Sequence, residues 1–406
     1  MVEMNRRRFL IASAGVGALG LAGAAAVSWP ELMRAAKERP LADGTGILVL
    51  VTLYGGNDGI NTVIPYSDPA YHAARPELAY AANDVLALDD QLGLNPGLSG
   101  LAGLWKQRRL AIVRGVGYPQ PDHSHFRSMD IWQTASPQEP VSTGWIGRWL
   151  DASGGDPLRA VNIGAVLPPL AIGEKATAAA LPVTGGASTP ELADTITALG
   201  TADPHDTPAM AMVTASYRAA TSVDNSLQPA TTVDDSAENP EQRAGVNPLA
   251  AQLDVVARCI AARVPTRVYT VQLGGFDTHA DERGTQQRLL QAFDTAATGF
   301  LNNVVSQPQG RNVVLVAYSE FGRRVGANAS QGTDHGTAGP VFVAGGPVNG
   351  GFYGDEPSLT DLVDGDLKAG IDFRDVYYDV LTHTLNTDPE PVIGAGRRSI
   401  GFLAGN

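Results

Sequence analysis

The chain has 406 residues, 44% of them hydrophobic and 17% charged, with a formal net charge of −13 and a pI near 4.9. This is a globular composition with room for a large core. The acidic balance argues against nucleic acid as the main ligand, because neutralising phosphates needs clustered Lys and Arg. It leaves room for a small phosphate or sulfate substrate held by a metal. The single cysteine, Cys259, excludes a disulfide within the chain and a Cys-based zinc site. Its helical surroundings read it as a small core residue.

In chain order, Asn5-Arg6-Arg7-Arg8-Phe9-Leu10 resembles the twin-arginine export signal, and an apolar, Ala- and Gly-rich stretch follows from Leu10 to Val27. Ala24-Ala25-Ala26 or Ala26-Val27-Ser28 offers a small-residue cleavage site. The stretch is short and Gly-rich for a membrane span. Residues 1–28 are therefore read as a signal segment, with an uncleaved anchor as the competing reading. The export machinery is then an expected partner, and the location periplasmic, extracellular or on the cell envelope. As a class, that route carries folded proteins, so a metal could be loaded before export.

The remaining chain, 45–406, reads as one α/β domain. Gly46 to Leu53 is a continuous apolar run, the mark of a strand buried on both faces. Leu98 to Arg109 has helical spacing and leads into a strand at Leu110–Arg114, so that strand, helix and strand recur as in a crossover unit. Val268–Leu273, Asn312–Tyr318 and Pro340–Gly345 are further strands. Gln286 to Val305 is an amphipathic helix, and Asp372 to Leu385 a late one with Asp372 as N-cap. The stretch 171–250 is rich in Ala, Thr, Gly, Asp and Pro and reads as a polar insertion or cap. The expected fold class is α/β, a large mostly parallel sheet with helices on both faces.

Four islands carry chemistry: Gly55-Gly56-Asn57-Asp58-Gly59, Asp122-His123-Ser124-His125-Phe126, Gly274 to Asp281, and Ser319 to Arg323 with Asp334-His335-Gly336. Three of them follow strands. In open parallel sheets ligands gather beyond the carboxyl ends of strands, so the islands are expected to meet at one edge. Asp with His suits zinc, manganese or iron, and carboxylates alone lean to magnesium or calcium. Asp58 reads as a ligand or a turn residue. Asp122 or Ser124 reads as a helix cap, which is compatible with Ser124 as nucleophile, since a helix N-terminus stabilises an anion. His123 and His125 flank it as further catalytic candidates, and at least one of them is expected to serve the site. Asp277 and His279, two residues apart, face one way in extended backbone and read as metal ligands, as do Asp334 and His335. Asp281 is a ligand or a cap. Glu320 is a ligand or an ion-pair partner of Arg323 or Arg324. His72, His205 and His383 lack acidic company and default to structural roles.

These islands, with Gly144-Trp145-Ile146-Gly147-Arg148-Trp149 and Asp372-Phe373-Arg374-Asp375-Val376-Tyr377, resemble the exported family known as domain of unknown function 1501 over essentially the whole mature chain. That family is similar to the alkaline phosphatase and sulfatase superfamily. The resemblance implies an alkaline-phosphatase-like fold and one or two divalent ions (zinc, manganese, calcium or magnesium). It also implies Asp58, Asp277, His279, Glu320, Asp334 and His335 as ligands, and Ser124 as nucleophile. Glu320-Phe321 departs from the Asp-His pair of many superfamily members. Two functions follow as expectations. One is an exported metal-dependent hydrolase of small-molecule or polymer esters of phosphate, sulfate or related acids. The other is a non-catalytic exported binding or assembly protein with an envelope partner. No Gly-x-Gly-x-x-Gly after a strand, Cys-x-x-Cys or haem attachment motif is present, so nothing points to a nicotinamide, flavin or haem site.

Overall fold

The computed structural model describes residues 25–164, 167–182 and 247–403. The chain divides into two compact units, Met1–Leu41 with Ser142–Thr266, and Ala42–Val141 with Arg267–Asn406. The stretch 171–250 belongs to the former unit and lies mostly outside the described residues, as do residues 1–24 of the expected signal segment.

All four islands fall in the unit formed by Ala42–Val141 and Arg267–Asn406. Its strands are β1 (Ile47–Leu53), β2 (Leu110–Gly117), β3 (Val268–Leu273), β4 (Val313–Tyr318), β5 (Gly339–Gly345), β6 (Gly351–Tyr353) and β7 (Ile371–Asp372). The order is β3-β1-β4-β5-β2, with β6 and β7 both paired to β2. Every residue of β1 and β4 is buried, which is what an uninterrupted apolar run in a doubly covered sheet requires. β3 and β4 flank β1 in parallel, with Leu48 opposite Val268 and Leu315 opposite Val49. β5 is antiparallel to both β4 and β2. Hence β1, β2, β3 and β4 run in one sense, and the start of β5 reaches the same edge as their carboxyl ends. A direct loop can join antiparallel neighbours, whereas a parallel pair needs a crossover. The 319–338 connection is such a loop, stitched by Gly322 N–H to Thr337 O (2.8 Å) and Gly336 N–H to Gly322 O (2.9 Å).

The helices of this unit include α1 (Ser99–Lys106), α2 (His125–Thr134), α3 (Glu282–Val305) and α4 (Phe373–Asp379). α3 packs on α1 and β4. α4 starts at Asp372, whose carboxylate accepts from Arg374 N–H at 3.0 Å, and passes into a π-helical turn at Val380–Thr384. The expected 372–385 helix is thus an α-helix ending in a wider turn. α2 is anchored by an aromatic layer. Trp132 stacks on Tyr318 with ring centroids 4.8 Å apart and meets Phe373 at 4.7 Å, offset contacts that favour one packing.

The other unit, taken by itself, has parallel pairing of Ala25–Ala26 and Ala160–Ile163 with Ala179–Leu181. Its helices include Trp29–Glu38, Trp145–Ala152 and Pro248–Ala261, and the last buries Cys259 as a core residue. Among the described residues no helix is long and apolar enough to cross a membrane.

Candidate metal centre

Loops from the ends of β1, β3 and β4 are drawn together by one side chain. Arg323 is buried, and its guanidinium donates to Gly56 O (2.6 Å), Thr333 O (2.9 Å), Phe276 O (3.0 Å) and Asp277 Oδ1 (2.7 Å). Five donors in a rigid fork suit such a hub, which a lysine could not replace. The approach is close enough to demand glycine. A Cβ on Gly55 (φ +117) would lie 2.4 Å from Asp277 N, and one on Gly56 (φ +70) 2.3 Å from the Phe321 ring. Positive φ at both positions carries its own penalty for other residues.

His125, Asp277 and His335 converge there, with potential ligand atoms all within 4.8 Å of one another. Asp277 Oδ1 lies 3.0 Å from His279 Nε2, 3.1 Å from His335 Nε2 and 3.4 Å from His125 Nε2. His279 Nε2 and His335 Nε2 are 2.9 Å apart. The tautomers follow from the other ring nitrogens. His335 Nδ1 is 2.7 Å from the His123 carbonyl, which can only accept, so Nδ1 carries the proton. His125 Nδ1 donates to Glu320 Oε1 at 2.8 Å, and its Nε2 is buried with no hydrogen-bond partner. His279 Nδ1 faces Asp334 Oδ1 at 3.4 Å.

Neutral imidazoles in these tautomers present lone pairs on Nε2. Those lone pairs face one another and a carboxylate oxygen, an arrangement that could hold a cation between them. The donor set, imidazole nitrogens with one carboxylate oxygen and Nδ1 groups held by acceptors behind, fits a divalent transition metal. Hydrogen bonding to Glu320 raises the pKa of His125 despite desolvation, with the nearby Glu320 and Asp277 charges helping. Burial works to raise the pKa of Asp277, but the hydrogen bond from Arg323 and the closeness of His335 hold it down at about 2.

The remaining candidates occupy supporting places. Glu320 is 1% exposed; its Oε1 accepts from His125 Nδ1 and from Gly55 N–H (2.9 Å). Its pairing is with His125, not with Arg323 or Arg324. Ser319 Oγ donates to Leu53 O (2.6 Å) and accepts from Asn57 N–H (2.9 Å). Phe321 packs its ring against His125 and His335, with centroids 4.9 and 4.8 Å away. The Ser319 to Arg323 island is therefore a support under the imidazoles. Asp334 is exposed and also accepts from Asn328 Nδ2 at 3.2 Å. Asp281 precedes α3 at φ +45 with no capping side-chain bond.

Asp58 is corrected from ligand to structural anion. It is fully buried, paired with the equally buried Arg75, and Arg75 also donates to Val325 O (2.8 Å) and Arg324 O (2.7 Å). A carboxylate closed off in this way offers no oxygen to the histidine cluster. Burial opposes its ionisation, but Arg75 holds its pKa down. Beside it, burial and the Asp58 charge push Glu282 up to about 9. Glu282 is then a neutral acid that accepts from Thr333 Oγ1 (2.6 Å) and can donate from Oε1, otherwise without a partner, to Asp58.

Ser124 is the N-cap of α2, with Oγ 3.5 Å from Arg127 N. It is exposed, and its own N–H donates to Asp122 Oδ1 at 2.7 Å. His123 turns its ring away from the cluster, its Nε2 2.8 Å from Asp366 Oδ2. His123 and Phe321 also line a cleft of about 630 Å³ between the 117–123 and 363–372 loops. Sequence reasoning missed three residues. Arg75 and Asp366 had no motif around them, and Arg323 was noted only as a possible partner for Glu320. One signal was available, the Asp364-Gly365 pair of a tight turn ahead of Asp366.

Fold and site together define a mixed α/β protein with a large sheet of mostly parallel strands and a His/Asp cluster beyond their carboxyl ends. The model of the family described as "Protein of unknown function (DUF1501)" matches residues 136–397, and the chain belongs to that family. The matched span includes Asp277, His279, Glu320, Asp334 and His335 and leaves Asp58 and the 122–126 island outside. No curated protein matches the chain in sequence. Among solved structures, it is similar to a protein in the alkaline phosphatase superfamily from Vibrio parahaemolyticus (10% identity, 93% of this chain and 79% of that chain, TM-score 0.40). It is also similar to the lipoteichoic acid synthase LtaP from Listeria monocytogenes (11%, 96% and 80%, 0.40). A third is alkaline phosphatase from the Antarctic bacterium TAB5 (8%, 75% and 92%, 0.38). At these values the activities of those proteins are no guide to this one.

Proposed function

We propose that the protein binds a divalent metal ion through His125, Asp277 and His335, with His279 beside them, and hydrolyses a phosphate, sulfate or related ester. The observation that carries this reading is the meeting of imidazole Nε2 atoms around Asp277 Oδ1, each with its Nδ1 turned to an acceptor. The imidazole-rich set favours zinc or manganese over calcium or magnesium. When bound, the ion would polarise an ester oxygen and lower the pKa of a water. Glu320 and the His123 carbonyl orient the ligand rings. Ser124, exposed at the N-terminus of α2, is the candidate nucleophile, where the helix end favours negative charge. The test is metal content after purification, with turnover of 4-nitrophenyl phosphate and 4-nitrophenyl sulfate by wild type, Ser124→Ala and His335→Ala. Metal-dependent turnover lost in His335→Ala supports the reading. Protein that stays metal-free on reconstitution overturns it.

One observation favours the second reading, a non-catalytic exported binding or assembly protein. Arg323 already donates to Asp277 Oδ1 at 2.7 Å and so competes with an ion for that oxygen. Metal retention without turnover, together with co-purification of an envelope protein, would select it. Both readings include export on the strength of Arg6-Arg7-Arg8. Replacing all three arginines by lysine is expected to leave the protein in the cytoplasmic fraction, and unchanged export would refute that part.

A further inference from the structure

His123 stands between a candidate metal ligand and a buried acid, and both its ends are engaged. Its carbonyl accepts from His335 Nδ1 at 2.7 Å, and its ring Nε2 lies 2.8 Å from Asp366 Oδ2. Asp366 is 4% exposed, and its Oδ1 is sealed from solvent with no hydrogen-bond partner. Arg324 Nε, 3.8 Å from Oδ1, is beyond hydrogen-bond reach. Among the described residues the His123 ring is therefore the one side-chain hydrogen-bond donor to this carboxylate. An acid enclosed in this way has no part in holding a ligand. Losing its donor would leave a buried charge without a hydrogen bond, which is strongly disfavoured. The pairing thus holds the His123 ring in place although 44% of that side chain is exposed.

Asp366 sits on a firm support. It closes a tight turn with Val363, bonded both ways through the backbone at 3.0 and 2.9 Å, with positive φ at Asp364 and Gly365. The turn is tied to the 319–338 loop. Thr337 Oγ1 donates to Leu367 O at 2.6 Å, and Val325 N–H to Gly365 O at 3.4 Å. His335 belongs to that same loop. The contacts close a ring, from the loop through the turn, Asp366 and the two ends of His123 to His335 and back to the loop. Other bonds on the segment do not replace it. Tyr118 Oη accepts from Asp122 N–H at 3.1 Å and Ser128 Oγ donates to Asp122 O at 2.7 Å. These hold the residue before His123 and do not aim the His123 carbonyl.

We infer that Asp366 is a positioning residue for the metal centre. Through the His123 ring it aims the His123 carbonyl at His335 Nδ1, and so keeps the His335 Nε2 lone pair on the side of the ion. The consequence for metal rests on the proposed metal site, but the His335 tautomer exists in the metal-free chain and is tested there. The full chain is labelled with isotopic histidine and stripped of metal with a chelator. Its imidazole nitrogens are followed by NMR, with the His335 signals assigned from His335→Ala. Wild type shows His335 protonated at Nδ1. Asp366→Ala and His123→Ala, the second of which keeps the backbone carbonyl, each let the Nε2–H tautomer appear. Asp366→Asn keeps an acceptor for the His123 ring and retains the wild-type pattern. Zinc affinity, by competition with a chelating dye, falls about tenfold in each alanine variant, the low end for a partner behind a ligand imidazole. The double variant loses no more than either alone, because both residues act through one bond. His123→Ala removes a half-exposed ring and carries the test alone if Asp366→Ala does not fold. A His335 tautomer unchanged in the folded alanine variants overturns the inference, and so do zinc losses that add in the double variant. A chain that binds zinc equally in wild type and both alanine variants contradicts this inference alone. A chain whose His335 tautomer shifts as described but which never binds zinc contradicts the metal reading alone.

Discussion

At the scale of single residues, the centre depends on groups that never touch the ion they would help to hold. Glu320 fixes the His125 tautomer and the His123 carbonyl fixes that of His335. Removing the charge behind a ligand imidazole typically lowers metal affinity by about 10–100-fold. Glu320→Gln keeps the volume and an acceptor, so a loss of about tenfold in zinc affinity is expected, measured by competition with a chelating dye. Unchanged affinity would deny Glu320 that role. Arg323 makes a sharper demand. Arg323→Lys cannot span Gly56 O, Phe276 O, Thr333 O and Asp277 together. A loss of about 3–5 kcal/mol in urea unfolding is expected, because buried acceptors and a carboxylate lose their donor.

At the scale of elements, the strands were readable because burial on both faces leaves mostly apolar side chains, as in β1 and β4, whose two hydroxyls, on Thr52 and Tyr318, bond to each other at 3.1 Å. The direction of β5 was not readable, since Val341-Phe342-Val343-Ala344 looks the same in either sense; only the direct 319–338 loop decides it. Helix starts show the same limit. Asp372 caps α4 from the adjacent position, where sequence shows it, whereas α1 borrows its cap from α3. Asp294 accepts from Gly100 N–H (2.8 Å) and Leu101 N–H (2.7 Å), satisfying donors that no residue of α1 satisfies. Asp294→Ala is expected to cost about 0.5–2 kcal/mol, as for loss of a local cap. An unchanged denaturation midpoint would refute that assignment.

At the scale of the whole molecule, the acids that follow strands have two fates, and sequence does not distinguish them. Asp277 faces the histidines, while Asp58 is locked to Arg75, buried and 17 residues away in sequence. The convergence of the islands was legible, because it follows from strand direction. The buried pairing was not, because Arg75 lies in no recognisable motif. That pairing makes a prediction about pH. Glu282, pushed up to about 9, keeps its proton in the folded chain while the unfolded chain releases it near the ordinary carboxylate value. Between those two points the folded state binds more protons, so this group makes stability fall as pH rises. Glu282→Gln removes the dependence. It should be more stable than wild type at pH 8, by on the order of a few kcal/mol, with the difference shrinking towards pH 4.5. Asp58 acts in the opposite sense. Its lowered pKa contributes stability that is present above the unfolded carboxylate value and lost as pH falls through the folded one. A Glu282→Gln difference that grows on acidification would reject the neutral Glu282.

The claim on which the rest depends is that His125, Asp277 and His335 share one ion. X-ray absorption of the zinc-reconstituted full chain tests it most directly. The account predicts light-atom ligands at about 2.0–2.2 Å with the outer-shell scattering of imidazole, diminished in His335→Ala. Zinc that is not retained, or a zinc shell without imidazole scattering, would contradict it.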